Sequence, residues 1–185
     1  MTRVYCTKKL KEFIGDVDET LPVDYHDIKT SDWNAHLFFV DKRKCIVFVN
    51  ILTYYSVFVA DIIKADLKSI DEIFRKRLKE QLHHDGVVVN DYENVSFLTE
   101  GQKIRFIKTN SNKKVIGRIN DFVHMFKVHV AYKYGHLNEM DVVYENGLFN
   151  KTPTGKYDDT KKSWSSPVEN VKEKIKTGSG QTFGD

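Results

Sequence analysis

Eight basic residues fall within a stretch of 34, and this is the strongest chemical signal in the chain. Residues 101–134 contain a single acid, Asp121, so the stretch has a net charge of +7, whereas the other 151 residues have a net charge of −4. Clustered Lys and Arg side chains neutralise phosphate groups and release counterions from nucleic acids. We therefore expect this segment to bind nucleic acid or another polyanion. The alternative is that its charges only cover a solvated face and pair with the acidic first half.

The basic side chains that we expect to contact phosphate lie on a predicted strand and at the start of a predicted helix. They are Lys103, Arg105, Lys113, Lys114 and Arg118. On the strand, Lys103 and Arg105 alternate with apolar residues, so they project from one face. At the start of a helix, backbone N–H groups also favour an anion.

The remaining patterns predict no metal or cofactor site. His83, His84 and Asp85 are adjacent, and adjacent helical residues diverge by about 100°. The two cysteines, Cys6 and Cys45, are too few for a four-cysteine zinc site, and we expect them to be buried free thiols. Neither a glycine-rich phosphate loop nor a nucleophile-elbow motif is present. No catalytic residues are assigned.

Three residues within apolar runs have two interpretations each. His36 is either a hydrogen-bonded sheet histidine or a general base. Asn50 either fixes a bend between strands or presents its amide to a ligand. Trp33 either packs in the core or at its rim, or stacks on a ligand.

Two segments of the sequence bear on the cellular compartment, the N-terminal residues and the longest uncharged run. The first residues lack the apolar region of a secretory signal. The longest uncharged run, 45–60, has sixteen residues, whereas a membrane helix needs about 20, and its β-branched and aromatic residues favour strands. We expect a cytoplasmic protein with no membrane partner.

Two amphipathic helices are predicted from apolar stripes at the 3.6-residue period. One covers 66–82 and ends at Gly86, and the other covers 115–132 and ends at Gly135. Shorter helices are predicted at 8–14, 139–145 and 168–175, and a turn at 147–153.

Predicted strands cover the rest of the first half. They lie at 2–7, 33–40, 45–49 and 54–60, with short strands at 95–98 and 103–107. A charged turn at 41–44 makes 33–40 and 45–49 a hairpin, and their nearly continuous apolar character predicts cover on both faces.

A chain of 185 residues usually forms one domain. We expect a single α+β domain over 1–176, with a mostly antiparallel sheet and the two main amphipathic helices packed on it. Residues 177–185 are expected to form a flexible C-terminal tail.

Several spaced motifs together resemble an uncharacterised family of small bacterial and mobile-element proteins, known only as a domain of unknown function. The motifs are Cys6-Thr7-Lys8-Lys9-Leu10, Trp33-x-Ala35-x-Leu37, Arg43-Lys44-Cys45, Asn50-x-x-Thr53-x-x-Ser56, Val115-Ile116-Gly117, Asn120-Asp121-Phe122 and Leu148-Phe149-Asn150-Lys151-Thr152-Pro153-x-Gly155. The resemblance covers roughly residues 3–175 and implies no reaction. The order of Asn34 and His36 is the reverse of the family's pattern.

Polar residues of these motifs define a second candidate, a composite polar site. Its members are Lys8, Lys9, Arg43, Asn50 and Asn120. The leading functional hypothesis remains polyanion binding through 101–134. The alternatives are a small nuclease or toxin-like hydrolase that uses His36, and a protein-interaction module such as an antitoxin or a phage-encoded inhibitor. The sequence leaves the oligomeric state open.

Overall fold

A five-stranded mixed sheet forms the centre of the protein, with the strand order β4-β3-β2-β1-β5. The computed structural model describes residues 2–15, 17, 28–87, 98–99, 103–109, 112–158 and 161–178. The strands of the central sheet are β1 (Thr2–Cys6), β2 (Trp33–Val40), β3 (Arg43–Asn50), β4 (Ser56–Val59) and β5 (Ile104–Lys108). A separate hairpin consists of β6 (Thr154–Asp158) and β7 (Lys161–Ser165).

Antiparallel pairing predominates in the sheet. Strands β2 and β3 pair over eight residues, and β3 and β4 over four. Strand β1 lies parallel to β2 over three residues and parallel to β5 over five. The predicted α+β class with a mostly antiparallel sheet is confirmed, and β1 introduces the parallel pairs.

The predicted hairpin between β2 and β3 has a tighter turn than the sequence indicated. Val40 pairs with Arg43, so only Asp41 and Lys42 form the loop. Both have positive φ, 49° and 65°. Two left-handed residues suit a two-residue hairpin loop because their backbone twist matches that of the strands. Strand β3 therefore begins two residues earlier than predicted.

Among the described residues, five α-helices surround the sheet. They are α1 (Lys8–Ile14), α2 (Ile70–His84), α3 (Lys113–His129), α4 (Val142–Lys151) and α5 (Pro167–Gly178). A 3₁₀ helix at Lys64–Ser69 leads into α2, a π-helical turn at Val130–Tyr134 continues α3, and a second 3₁₀ turn lies at Leu137–Glu139. The two main helices are those that the apolar stripes predicted, with bounds shifted by a few residues.

The helices enclose the sheet from both sides, so the protein has two apolar cores. On one face, α1, α2 and α5 pack through residues such as Leu10, Phe74 and Val171. On the other face, α3 and α4 pack through residues such as Phe126 and Phe149. We call these the α2 core and the α3 core. The expectation that β2 and β3 are covered on both faces is confirmed.

The predicted turn at 147–153 is wrong for most of its length, because α4 continues to Lys151. The Asp141 side chain accepts hydrogen bonds from the N–H groups of Val143 and Tyr144, and this N-cap starts the helix. Gly147 therefore lies inside a helix, where the missing side chain allows α4 to approach His84 and Asp85 closely. Thr154, which follows the Thr-Pro pair, begins β6.

Several smaller predictions can also be compared with the structure. The strand at 103–107 is confirmed as β5, and the helix at 168–175 is confirmed as α5. The β6–β7 hairpin was not predicted. Residues 95–97 of the other short strand and residues 179–185 of the predicted tail lie outside the described residues. In the part of the chain that the structure describes, no helix is both long and apolar enough to cross a membrane.

Candidate anion-binding surface

The basic segment occupies an edge strand and the helix that follows it. Within the described residues, strand β5 pairs with β1 alone and forms one edge of the central sheet. Ile104 and Phe106 pack against the α2 core, whereas Lys103 and Arg105 are exposed. Alternation along the strand therefore places the two basic side chains on the opposite face, the face that α3 covers.

Helix α3 begins with an N-cap that positions two lysines. The Asn112 side chain accepts hydrogen bonds from the N–H groups of Lys114 and Val115, at 3.1 Å and 3.3 Å. This cap starts α3 at Lys113, two residues before the predicted start. Lys113 and Lys114 both lie on the first turn with exposed side chains. We call Lys103, Arg105, Lys113, Lys114 and Arg118 the basic surface.

Three lysines of the basic surface have no acidic partner among the described residues. Lys103, Lys113 and Lys114 take part in none of the ion pairs found there, whereas Asp32 pairs with Arg3 and Asp61 with Arg43. Within the described residues, these three lysines therefore lie on a solvated face with no carboxylate paired to them.

Arg118 differs from the lysines because most of its side chain is covered. The side chain is 19% exposed, and its guanidinium carbon lies 4.8 Å from the centre of the Phe122 ring. Nη1 reaches Asp121 only at 3.9 Å, and Nε and Nη2 are buried without a hydrogen-bond partner. Burial lowers the pKa of Arg118, although Asp121 and Tyr54 act in the opposite direction. A buried guanidinium with unmatched donors is unfavourable, so this arginine has unused capacity to bind an anion.

The structure does not bring the members of the composite polar site together. Arg43 and Asn50 lie at opposite ends of β3, which puts about 23 Å between them at about 3.3 Å per residue. Lys8 and Lys9 are exposed at the start of α1, and Asn120 is exposed on α3.

Asn50 is a structural residue that fixes the bend after β3. It is fully buried, and its amide donates to the carbonyls of Thr30 and Asp32. Its Oδ1 accepts hydrogen bonds from both the N–H and the hydroxyl of Thr53, at 3.0 Å and 2.9 Å. All these contacts are internal, which agrees with the first of the two interpretations.

Trp33 and His36 also have internal partners. Trp33 is fully buried, and its indole N–H donates to the carbonyl of Leu98 at 2.8 Å, so it is a core residue. His36 is half-buried, with its Nδ1 2.9 Å from the Thr7 hydroxyl oxygen. Burial, followed by the nearby charges of Lys9 and Lys127, lowers the pKa of His36.

The thiols lie in different cores. Cys6 belongs to the α2 core and Cys45 to the α3 core, and both are buried. Burial raises the pKa of Cys6 to about 12 and that of Cys45 to about 11. Because the thiolate is the reactive form, both thiols are poor nucleophiles at neutral pH. No group of three or more His, Cys, Asp or Glu side chains that could hold a metal ion occurs within the described ranges.

A buried carboxylate on α4 contacts the C-terminal end of α3, and no sequence pattern predicted it. The side chain of Glu145 is fully buried and accepts a hydrogen bond from Lys133 Nζ at 2.5 Å. It is also hydrogen bonded to His129 Nδ1 and to the Tyr134 hydroxyl. Burial alone would raise the pKa of Glu145, but these three partners outweigh it, and the pKa lies below its ordinary value.

The π-helical turn explains how these groups meet. In an α-helix, residues 129 and 134 would diverge by about 140°. The wider π-helical turn at Val130–Tyr134 returns Tyr134 to the side of His129. A π-helical turn has no reliable sequence signal, which is why the cluster was not found. The cluster links α3 to α4 through the single carboxylate of Glu145.

A second buried polar network joins α2, β4 and α4. Asp85 Oδ2 accepts hydrogen bonds from the Tyr55 hydroxyl, Gln81 Nε2 and Asn150 Nδ2. The Asn150 side chain also accepts from the Ser56 N–H at 2.8 Å and donates to the Ser56 carbonyl at 3.0 Å. The Asn150 amide thus forms the hydrogen bonds that a neighbouring strand would form at the β4 edge. Ser56 and Asn150 belong to two different motifs of the family resemblance.

Comparison with known proteins assigns the chain to a family but to no activity. A family model described as a domain of unknown function, DUF6933, matches residues 3–170. The chain belongs to this family, which confirms the resemblance found in the sequence. No match is found among curated proteins.

Proposed function

Since membership of this family specifies no reaction, we propose from the geometry that the protein binds nucleic acid or another polyanion through its basic surface. The observation that carries the proposal is the set of three exposed lysines, Lys103, Lys113 and Lys114, which have no acidic partner among the described residues. Unpaired cations contribute fully to counterion release when phosphates approach. Arg118 supports the proposal because its guanidinium keeps unmatched donors beside them.

A structural explanation competes for part of this surface. Basic side chains on an edge strand discourage pairing with another chain, and β5 is such an edge in the part of the sheet that the structure describes. That explanation applies to Arg105 on β5 and to Lys103 just before it, but not to Lys113 and Lys114, which lie on a helix. Binding measurements on variants of all three lysines therefore separate the two.

The test is fluorescence anisotropy with labelled single-stranded RNA, single-stranded DNA and duplex DNA at about 50 mM and 200 mM salt. We expect the wild-type protein to bind at least one of these, with affinity falling as salt rises. The variant in which Lys103, Lys113 and Lys114 are all replaced by Gln should bind more weakly. Its slope of log affinity against log salt should be smaller by up to about 3.

A matched control removes the same charge elsewhere. Lys64, Lys68 and Lys76 are exposed on the segment formed by the 3₁₀ helix and α2, so replacing all three with Gln changes the net charge equally. The control variant should bind as the wild type does. Equal weakening by both variants, or no binding by the wild type, would show that the basic surface is not the site.

The same incubation tests the two alternatives. Cleavage of the nucleic acid that disappears in His36→Ala would favour the nuclease hypothesis, because His36 has a lowered pKa and offers a neutral imidazole at pH 7. Neither binding nor cleavage would favour the protein-interaction module. Our proposal requires binding with the nucleic acid recovered intact.

We also propose a cytoplasmic location. Two buried free thiols with raised pKa values suit a reducing compartment, where disulfides do not persist. Nucleic acid is abundant there as a partner.

A further inference from the structure

Unmatched hydrogen-bond donors lie on α3 and on the sheet strand β2. Among the described residues, four buried side-chain atoms lack a partner, and three of them are donors: Asn34 Nδ2, Arg118 Nε and Arg118 Nη2. The fourth, Gln81 Oε1, is an acceptor on α2. Buried polar atoms are nearly always paired in proteins, so three donors without an acceptor need an explanation.

Asn34 lies on the face of the sheet that α3 covers. Its neighbours across the sheet are Tyr5 and Val49, and both belong to the α3 core. Asn34 itself is 2% exposed. The unmatched amide of Asn34 therefore faces the layer between the sheet and α3, the helix that carries Arg118.

Arg118 lies on α3 with 19% of its side chain exposed, although its Nε and Nη2 atoms are buried. It lies one turn after Lys114 on α3, so the two side chains share a side of the helix. The guanidinium stacks on Phe122, and its nearest carboxylate, Asp121, is 66% exposed and too distant for a good hydrogen bond. Tyr54, which affects the pKa of Arg118, is only half-buried.

We propose that Arg118, backed by Asn34, forms a subsite for a single phosphate group of the nucleic acid that the basic surface binds. This inference rests on the proposed function and names the contact that goes beyond charge. The Nε and Nη2 atoms of a guanidinium form a fork that matches two oxygens of one phosphate. In this proposal the lysines attract the phosphate backbone to the start of α3, and Nε and Nη2 of Arg118 donate hydrogen bonds to one phosphate group.

The proposal explains why a buried arginine is present at this position. Even a buried ion pair can often be replaced by apolar side chains of similar volume without loss of stability, and an unmatched buried charge lacks the attraction that such a pair has. A residue kept only for packing would gain nothing from the charge. A residue that receives a phosphate needs the fork, and its unmatched donors in the free protein leave it ready to bind.

The experiment compares Arg118→Met, Arg118→Lys and Lys113→Met. Anisotropy with the tightest-binding oligonucleotide from the tests above gives affinity and salt slope, and urea unfolding gives stability. We expect Arg118→Met to unfold at the same or a higher urea concentration and to bind at least about tenfold more weakly. Arg118→Lys keeps the charge but loses the fork. It should bind several-fold more weakly with an unchanged salt slope, whereas Lys113→Met should lower the slope by about 1.

Different outcomes separate this inference from the proposed function. If the wild type binds and Arg118→Lys binds equally well, the phosphate subsite is refuted while polyanion binding stands. A lower urea midpoint for Arg118→Met would assign Arg118 a structural role and also overturn the subsite. If the wild type binds no oligonucleotide, the proposed function fails. The subsite is then judged by titrating the wild type with inorganic phosphate, which must shift the NMR signal of Arg118 Nε–H for the inference to survive.

Discussion

Gly147 shows how a single missing side chain determines the packing of two helices. The residue lies within α4 at the point where that helix passes the end of α2. A Cβ atom at this position would lie 2.5 Å from His84 Cε1 and 2.8 Å from Asp85 Oδ1. His84 can give way, but Asp85 is buried and held by three hydrogen bonds at its Oδ2. The close approach is needed to keep Asp85 in contact with Asn150 on α4.

Replacing Gly147 with Ala should therefore destabilise the protein by about 1–3 kcal/mol through overpacking. Gly117 is the matched control, because it also lies within a helix but has no atom within 4 Å of an added Cβ. Gly117→Ala should stabilise the protein by about 1 kcal/mol, since Ala favours the helix. Urea unfolding of both variants checks the prediction. Equal effects of the same sign would contradict the packing argument.

At the residue scale, the sequence predicts contacts that are local along the chain. Asn50 and Thr53 are three residues apart, and a bend fixed by their hydrogen bonds was one of two interpretations that the sequence allowed. The contacts of Ser56 with Asn150 span 94 residues, and no pattern in the sequence indicates them. The unmatched donors of Arg118 are also invisible in the sequence, because they depend on what α3 packs against.

At the element scale, the regular spacing of apolar residues predicted the two main helices. The stripes of α2 and α3 predicted both main helices, because an apolar face repeated over four turns has few other solutions. The π-helical turn after α3 and the length of α4 were missed for a physical reason. Both depend on tertiary contacts. Glu145 stabilises the π-helical turn. In α4, Gly147 permits a close approach to α2, whereas a glycine in a sequence usually indicates a helix end.

The tie between α3 and α4 gives a prediction about pH. The pKa of Glu145 lies below its ordinary value of 4.5, so its contribution to stability is complete above that pH and is lost as the pH falls further. Glu145→Gln should lower the free energy of unfolding at pH 7 by about 1–2 kcal/mol, because hydrogen bonds to a charged acceptor weaken. The difference from the wild type should shrink below pH 4.5.

Urea unfolding at pH 7 and at pH 3.5 measures both effects. Glu139→Gln is the control, because Glu139 is an exposed acid in the 3₁₀ turn just before α4. It should change stability little at either pH. A Glu145→Gln variant whose deficit stays constant with pH would show that the carboxylate charge contributes nothing to the tie.

At the scale of the whole molecule, the central sheet is the layer that the two cores share within the described residues. Each strand of the β2–β3 hairpin sends alternate side chains into opposite cores, so Phe48 belongs to the α2 core and Val47 to the α3 core. Losing either helix layer would leave half of these side chains exposed. We therefore expect the two cores to unfold together, as one domain over residues 1–176 would.

The two cysteines test this expectation, because one lies in each core. Cys6→Ser and Cys45→Ser each leave a single buried thiol, in the α3 core and in the α2 core respectively. In the folded state neither thiol reacts readily, since burial raises their pKa values to about 12 and about 11. Labelling by a thiol reagent must then wait for the protein to open.

The rate of labelling under native conditions gives the free energy of the opening that exposes each thiol. We expect both single-thiol variants to give opening free energies within about 1 kcal/mol of their own global unfolding free energies from urea titration. Urea-unfolded samples of both should label at once and serve as the control. If one thiol opens at a far lower free energy than the other, the core that contains it unfolds independently. The sheet would then not couple the basic surface on the α3 side to the rest of the fold.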